Sequence, residues 1–152
     1  MALTEAVVRA IIADTSKLIV GDIDWQLDPD HAPSVEFVRR ISSRNNWALV
    51  VRGSYNPRIG TLSYAILLKP YGRVYALDMG RDHHNPDCQR VGEKHKHVWT
   101  ERYRDRQAYS ATDITAPSTD PVAVWQQFCQ EACVRHEGVL RPVPSQQLDL
   151  YS

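Results

Sequence analysis

The sequence predicts an α+β fold. An N-terminal helix leads into an antiparallel β-meander of four to five strands, a polar His-rich excursion follows, and a C-terminal helix packs on the sheet. Two patterns carry that expectation. Hydrophobic residues recur at helical spacing only near the two ends of the chain, whereas between them they alternate with polar residues at a period of two. Short turn signals join the alternating segments, and short connections favour antiparallel neighbours because parallel strands need long crossovers. The 152 residues are enough for one domain with a hydrophobic core, taken as 1–152, with 139–152 as a loosely docked tail.

Leu3, Val7, Ala10, Ile11 and Leu18 fall on one stripe, widened by Val8, Ile12 and Ile19, and predict a helix over 4–20. Thr4 is its expected N-cap and Gly21 the residue that ends it. The period then changes, as Ile23, Trp25 and Leu27 alternate with Asp22, Asp24 and Gln26. Pro29 and Pro33 punctuate a turn. Val35, Phe37, Arg39 and Ile41 share a face of the next strand, and Trp47–Val51 is apolar enough for a central one. Leu62, Tyr64, Ile66 and Leu68 alternate, and Lys69-Pro70-Tyr71-Gly72 turns the chain into Arg73–Met79. Asn45-Asn46 and Tyr55–Gly60 also read as turns. After the His-rich stretch, Ala111–Asp120 is loop. Asp120 caps a second helix with Pro121 at its first position, where a missing N–H costs least. Val122, Trp125, Cys129, Ala132, Cys133 and His136 are expected on one side of it, with Gly138 at its end. Small RelE-like toxins are similar in their helix-then-meander order, a likeness of fold alone.

Eighteen Lys+Arg balance eighteen Asp+Glu, so no overall field draws the chain to nucleic acid or to a membrane surface. No apolar run approaches the roughly 18 residues of a membrane span. No basic leader precedes an apolar stretch at the start, and three cysteines without a paired framework suit a reducing compartment, so a cytoplasmic protein is expected.

Chemistry is expected in Arg81–Arg106, which holds four of the six histidines and seven of the eighteen Lys+Arg residues. His95, His97, Trp99 and Glu101 recur at every second position. On a strand over Lys94–Glu101 all four would project from one face and Lys96 and Thr100 from the other. Two imidazoles at i and i+2 can chelate one divalent ion (Zn, Mn or Fe), with Glu101 as third ligand or general base. His83 and His84 precede an Asn85-Pro86-Asp87 turn and would join the same site if the excursion folds back as a hairpin. A metal-free reading makes the histidines acid and base on a phosphodiester, with Lys96, Arg102, Arg104 and Arg106 stabilising charge and Trp99, Tyr103 and Tyr109 stacking bases. The bland reading is a polar loop whose histidines satisfy backbone groups. Four histidines within fifteen residues, two in H-x-H spacing, weigh against it.

The spacing HKHVWTE matches the H-x-H-x3-E portion of the first cupin motif, but that motif's flanking glycines are absent and too few strands follow to finish a jelly roll. A longer pattern fits better. His83, Asn85, Pro86 and Asp87, then Gly92, His95, His97, Trp99 and Glu101, then Tyr103, Asp105, Ala108 and Tyr109 resemble a family of small uncharacterised bacterial and mobile-element proteins. Their stretch runs H-x-N-P-D, glycine, H-x-H-x-aromatic-x-E, aromatic-x-D and A-aromatic. The resemblance covers about a fifth of the chain and implies no reaction.

Cys129, Cys133 and His136 could complete a zinc site with Cys88, but without paired C-x2-C knuckles core packing is the expectation. Cys88 beside His84 or His95 is a weaker candidate nucleophile. Arg39, Arg40, Arg44, Arg52 and Arg58 could form a phosphate-binding surface, though solvated or paired arginines are commoner. No P-loop, Rossmann or nucleophile-elbow pattern is present.

The leading expectation is therefore a phosphodiester-processing enzyme acting on RNA or a nucleotide. His95 and His97 lie at its centre, Glu101, His83 and His84 assist, and Lys96, Arg102, Arg104, Trp99 and Tyr103 bind substrate. The alternative is a non-enzymatic interaction protein with a protein partner, a toxin–antitoxin component or an inhibitor of host defence carried by a mobile element.

Overall fold

A computed structural model describes residues 2–80, 83–87 and 89–144, and the backbone alone at His83 and His84. Along the chain lie α1 (Glu5–Ala13), β1 (Lys17–Val20), β2 (Gln26–Leu27), β3 (Val35–Ile41), β4 (Leu49–Asn56), β5 (Thr61–Leu68) and β6 (Gly72–Met79). These are followed by β7 (His83–His84), β8 (Arg90–Val91), β9 (Lys94–Val98), β10 (Ala108–Ser110), α2 (Pro121–Glu131) and β11 (Val134–Glu137). The fold is α+β as expected, but it holds more strands than four to five. Seven form one sheet in the order β10-β9-β6-β5-β4-β3-β2, antiparallel throughout.

The first helix is shorter than its hydrophobic stripe suggests. Thr4 caps it, accepting from the Val7 N–H at 3.2 Å, but it stops at Ala13. There Asp14 accepts from the Ser16 N–H and hydroxyl, and the Lys17 ammonium donates to the carbonyls of Ile11, Ile12 and Asp14 at 2.6–2.8 Å. A cation on the last carbonyls compensates the helix dipole and terminates the helix. Lys17 is fully buried, and burial pulls its pKa below the ordinary lysine value. Residues 17–20, expected as helix, instead pair in parallel with β11, and Leu18 bridges to Ser42.

The second helix begins as its sequence predicts, with Asp120 accepting from the Ala123 N–H and Pro121 at its start. It ends at Glu131. Cys133 has a positive φ of 57°, which turns the chain, and His136 therefore sits on β11 rather than on the helix. Val124, Trp125 and Phe128 of α2 bury themselves against one face of the sheet. Trp25, Phe37 and Tyr64 meet Trp125 and Phe128 there, with ring centroids 5.0–6.3 Å apart and mostly edge-on or tilted, as the quadrupoles of aromatic rings favour. Gly53 on β4 is the position that makes room, since a Cβ there would lie 2.1 Å from the Phe37 ring.

The tail docks at its start. Leu140 is buried and bridges Ile23, and Arg141 pairs with Asp22 and Asp24 at 2.9 Å; residues 145–152 lie outside the described set. No described helix is long and apolar enough to cross a membrane.

A histidine–aspartate group on the open face of the sheet

Alternation decides which side chains face away from α2. On β5, Leu62, Tyr64, Ile66 and Leu68 are buried toward the core and Thr61 and Ser63 face the other way. On β6, Leu77 and Met79 are core residues and Asp78 faces the open side. The ladder sets Ser63 beside Asp78, Asp78 beside His95, and Ala76 beside His97. One open-face row thus reads Glu36, Ser54, Ser63, Asp78, His95 and Ser110 across six strands.

Asp78, His95 and His97 form a group that could hold a metal ion, with one ligand atom from each lying within 4.8 Å of the others. The His97 Nε2 is 3.1 Å and the His95 Nε2 3.6 Å from the same Asp78 Oδ2. A tetrahedral ion bonded at about 2.0–2.1 Å to two ligands holds them roughly 3.3 Å apart, between these two values. Both rings are oriented from behind. The His95 Nδ1 lies 3.0 Å from the Gly92 carbonyl and the His97 Nδ1 2.7 Å from the Asp105 carbonyl. A carbonyl can only accept, so each Nδ1 carries a proton, and each Nε2 beside the carboxylate either carries a second proton and donates to Asp78 or offers a lone pair to a cation between them. Two acceptors face each other stably only across a positive charge, either a metal cation or a second ring proton. Backbone carbonyls behind the rings are the support that metal-ligating histidines ordinarily use.

Asp78 is half-buried, and burial opposes its ionisation. Hydrogen bonds with His95, His97 and Ser63 and the charge of Arg73 outweigh that burial and hold the carboxyl well below the usual carboxylate range. The Ser63 hydroxyl donates to Oδ1 at 2.7 Å, leaving Oδ2 to the histidines. Arg73 lies between Asp78 (3.5 Å) and Asp105 (3.0 Å). The group forms one wall of a cavity of about 710 Å³ that is also lined by Arg52, Arg106, Ser54 and Asn56.

The sequence-predicted residues divide. His95 and His97 meet as expected. The expected strand over Lys94–Glu101 does not run its full length. It ends at Val98, because the Thr100–Arg104 bridge and a positive φ of 56° at Arg104 turn the backbone. Trp99 accordingly packs in the core with the Arg104 guanidinium over its ring, and Glu101 sits exposed in the turn. Tyr103 carries the Arg102 guanidinium over its ring. Lys96 faces the helix side, where it pairs with Asp113 and Glu131 at 3.0 and 2.9 Å. None of Lys96, Trp99, Glu101, Arg102, Tyr103 and Arg104 lines the cavity. The excursion does fold as a hairpin, β7 on β8, and Asn85 pins it by exchanging two hydrogen bonds with the backbone of Ala108. The side chains of His83 and His84, and Cys88 as a whole, lie outside the described residues. Cys129 is buried, with burial pushing its thiol up to about 12, and His136 accepts from the Trp125 indole and meets the Gly21 carbonyl, the core role expected of this region.

Asp78, Arg73 and Ser63 were not singled out by sequence. One signal was available, because Asp78 is an acidic residue within a strand, where aspartate is depleted.

The chain belongs to a family of unknown function, DUF6978, whose model matches residues 3–134, in keeping with its resemblance to an uncharacterised family. No curated protein and no solved structure matches it.

Proposed function

We propose that the protein is a metal-dependent enzyme that hydrolyses a phosphodiester in RNA or a nucleotide, with the ion (Zn, Mn or Fe) held by Asp78, His95 and His97. One observation carries the reading: two histidine Nε2 atoms converge on one carboxylate oxygen at the wall of a cavity that also presents Arg52, Arg73 and Arg106. Two imidazoles and a carboxylate leave coordination positions open, the arrangement of catalytic rather than structural ions. The ion would supply an activated water and polarise a phosphoryl oxygen. The protein's own groups supply the rest. Arg73 sits beside Asp78, where its charge faces the anion that develops on phosphorus. Ser63 and the carbonyls of Gly92 and Asp105 fix the three candidate ligands.

The test pairs metal content by plasma mass spectrometry with turnover of bis(p-nitrophenyl) phosphate and labelled RNA in Zn²⁺, Mn²⁺ or Fe²⁺. Wild type should carry about one equivalent and turn over. Asp78→Asn and the His95→Ala/His97→Ala double variant should lose both while keeping their circular dichroism. A folded wild-type protein that is inactive with every metal and substrate defeats the reading. If removing a bound ion lowers only the melting temperature, the ion is structural. If none binds and none is needed, the acid–base and partner-binding alternatives move to the front.

A further inference from the structure

The cavity has a second charged feature, remote from the histidines. Arg52 extends from β4, opposite Ala65 on one neighbouring strand and Val38 on the other, and lines the same cavity. Arg39, of the same sequence group, is spent differently: it donates to the carbonyls of Val20 and Asp22, at 2.6 and 2.8 Å. Among the described residues Arg52 has no hydrogen-bond or ion-pair partner. Its small or apolar neighbours Ala65 and Val38 cannot supply one, and Glu36, diagonal to it across β3 and β4, forms no ion pair with it. The row from Arg52 to His97 crosses Ala65 and Ala76; alongside it the cavity wall carries Ser54 and Ser63, with Asn56 and Thr61 one row farther out, hydroxyl and amide groups that suit sugar and phosphate oxygens.

The ladder gives the separation. From β4 to the gap between β6 and β9 is two and a half strand spacings, roughly 12 Å. That interval is between backbones. Adjacent phosphates of a nucleoside di- or triphosphate share one bridging oxygen and fit it only with the Arg52 side chain reaching back toward the histidines, whereas phosphates along a polynucleotide strand match it with the side chain standing upright from the sheet.

We propose that Arg52 anchors a second phosphate of a single-stranded oligonucleotide whose reacting phosphate lies at Asp78, His95 and His97. The inference rests on the phosphodiester reading above and narrows its substrate to a strand rather than a mononucleotide. A guanidinium fork is the side chain best shaped for such a phosphate, and its contact carries no base preference.

The experiment measures fluorescence anisotropy of Zn²⁺-loaded protein with two probes, a labelled 2′-O-methyl hexanucleotide and a labelled mononucleotide, over a salt series. Wild type should bind the hexanucleotide more tightly. Arg52→Gln should weaken it about tenfold and reduce its salt slope by about 0.7, with mononucleotide binding and metal content unchanged. Arg52→Lys should restore most of the salt slope, separating charge from folding. Equal wild-type affinity for the two probes, or an Arg52→Gln effect that is absent or the same for both, overturns the inference while leaving the phosphodiester reading to stand on turnover. No hexanucleotide binding by wild type overturns it outright, and a blank turnover panel then removes the parent reading as well.

Discussion

Strand β9 turns two neighbouring kinds of residue to opposite faces of the sheet. His95 and His97 face the open side and converge on Asp78, whereas Lys96, between them, faces α2 and pairs with Asp113 and Glu131. Both sides hold charge, but they satisfy it differently. On the helix side, cation meets carboxylate directly, and the Tyr75 hydroxyl donates to the same Glu131 oxygen. Burial and that contact raise the Tyr75 pKa far above the ordinary phenol value, so it stays neutral. On the open side two imidazole Nε2 atoms converge on one carboxylate oxygen at the wall of a cavity, an arrangement completed by a ring proton or an added cation. The helix side satisfies its charges from within the chain, and the open side carries the group that could hold a metal ion.

Substitutions on the two sides should therefore fail in different ways. Phe128→Ala removes an aromatic anchor of the core and should cost about 3–5 kcal/mol in denaturant unfolding. Metal binding per folded molecule should be unchanged; selective loss of metal without destabilisation would erase the distinction. Lys96→Met keeps the stem but removes the ammonium, leaving Glu131, whose Oε2 already lacks a partner among the described residues, without its cation. A loss of about 1–3 kcal/mol is expected. If turnover collapsed while stability held, Lys96 would belong to the chemistry after all. The smallest stability effect should come from Ser63→Ala. It frees Asp78 Oδ1 and should lower metal affinity about tenfold by calorimetry while changing stability by less than about 1 kcal/mol.

Local signals were legible in the sequence and long-range ones were not. Thr4, Asp120 and Pro121 marked helix starts because a cap acts within one turn. The alternation of Leu62 to Leu68 gave β5 its faces. Residues 17–20 misled, since Leu18 and Ile19 extend the helical stripe of α1 while the partner that makes them a strand is β11, near the other end of the chain. The H-x-H spacing located the two histidines, but their carboxylate comes from β6 through a ladder register, and no spacing within Arg81–Arg106 encodes it. Extrapolating the same alternation to Trp99 and Glu101 failed because β9 stops at Val98. Asn85, Gly92, Asp105 and Ala108, all part of the family-like stretch, hold the hairpin and the histidine rings in place through backbone contacts.

The parallel pairing of β1 with β11 also has a consequence for biosynthesis. Arg141 grips Asp24 across 117 residues, and β1 meets its partner over a similar interval. While the chain is emerging from the ribosome, the antiparallel ladder can close hairpin by hairpin, but Lys17–Val20 lacks its parallel neighbour until Glu137 has cleared the exit tunnel. A stalled or truncated chain that ended within α2 would expose Leu18 and Ile19 on an unpaired edge, the kind of surface that chaperones hold and aggregates recruit.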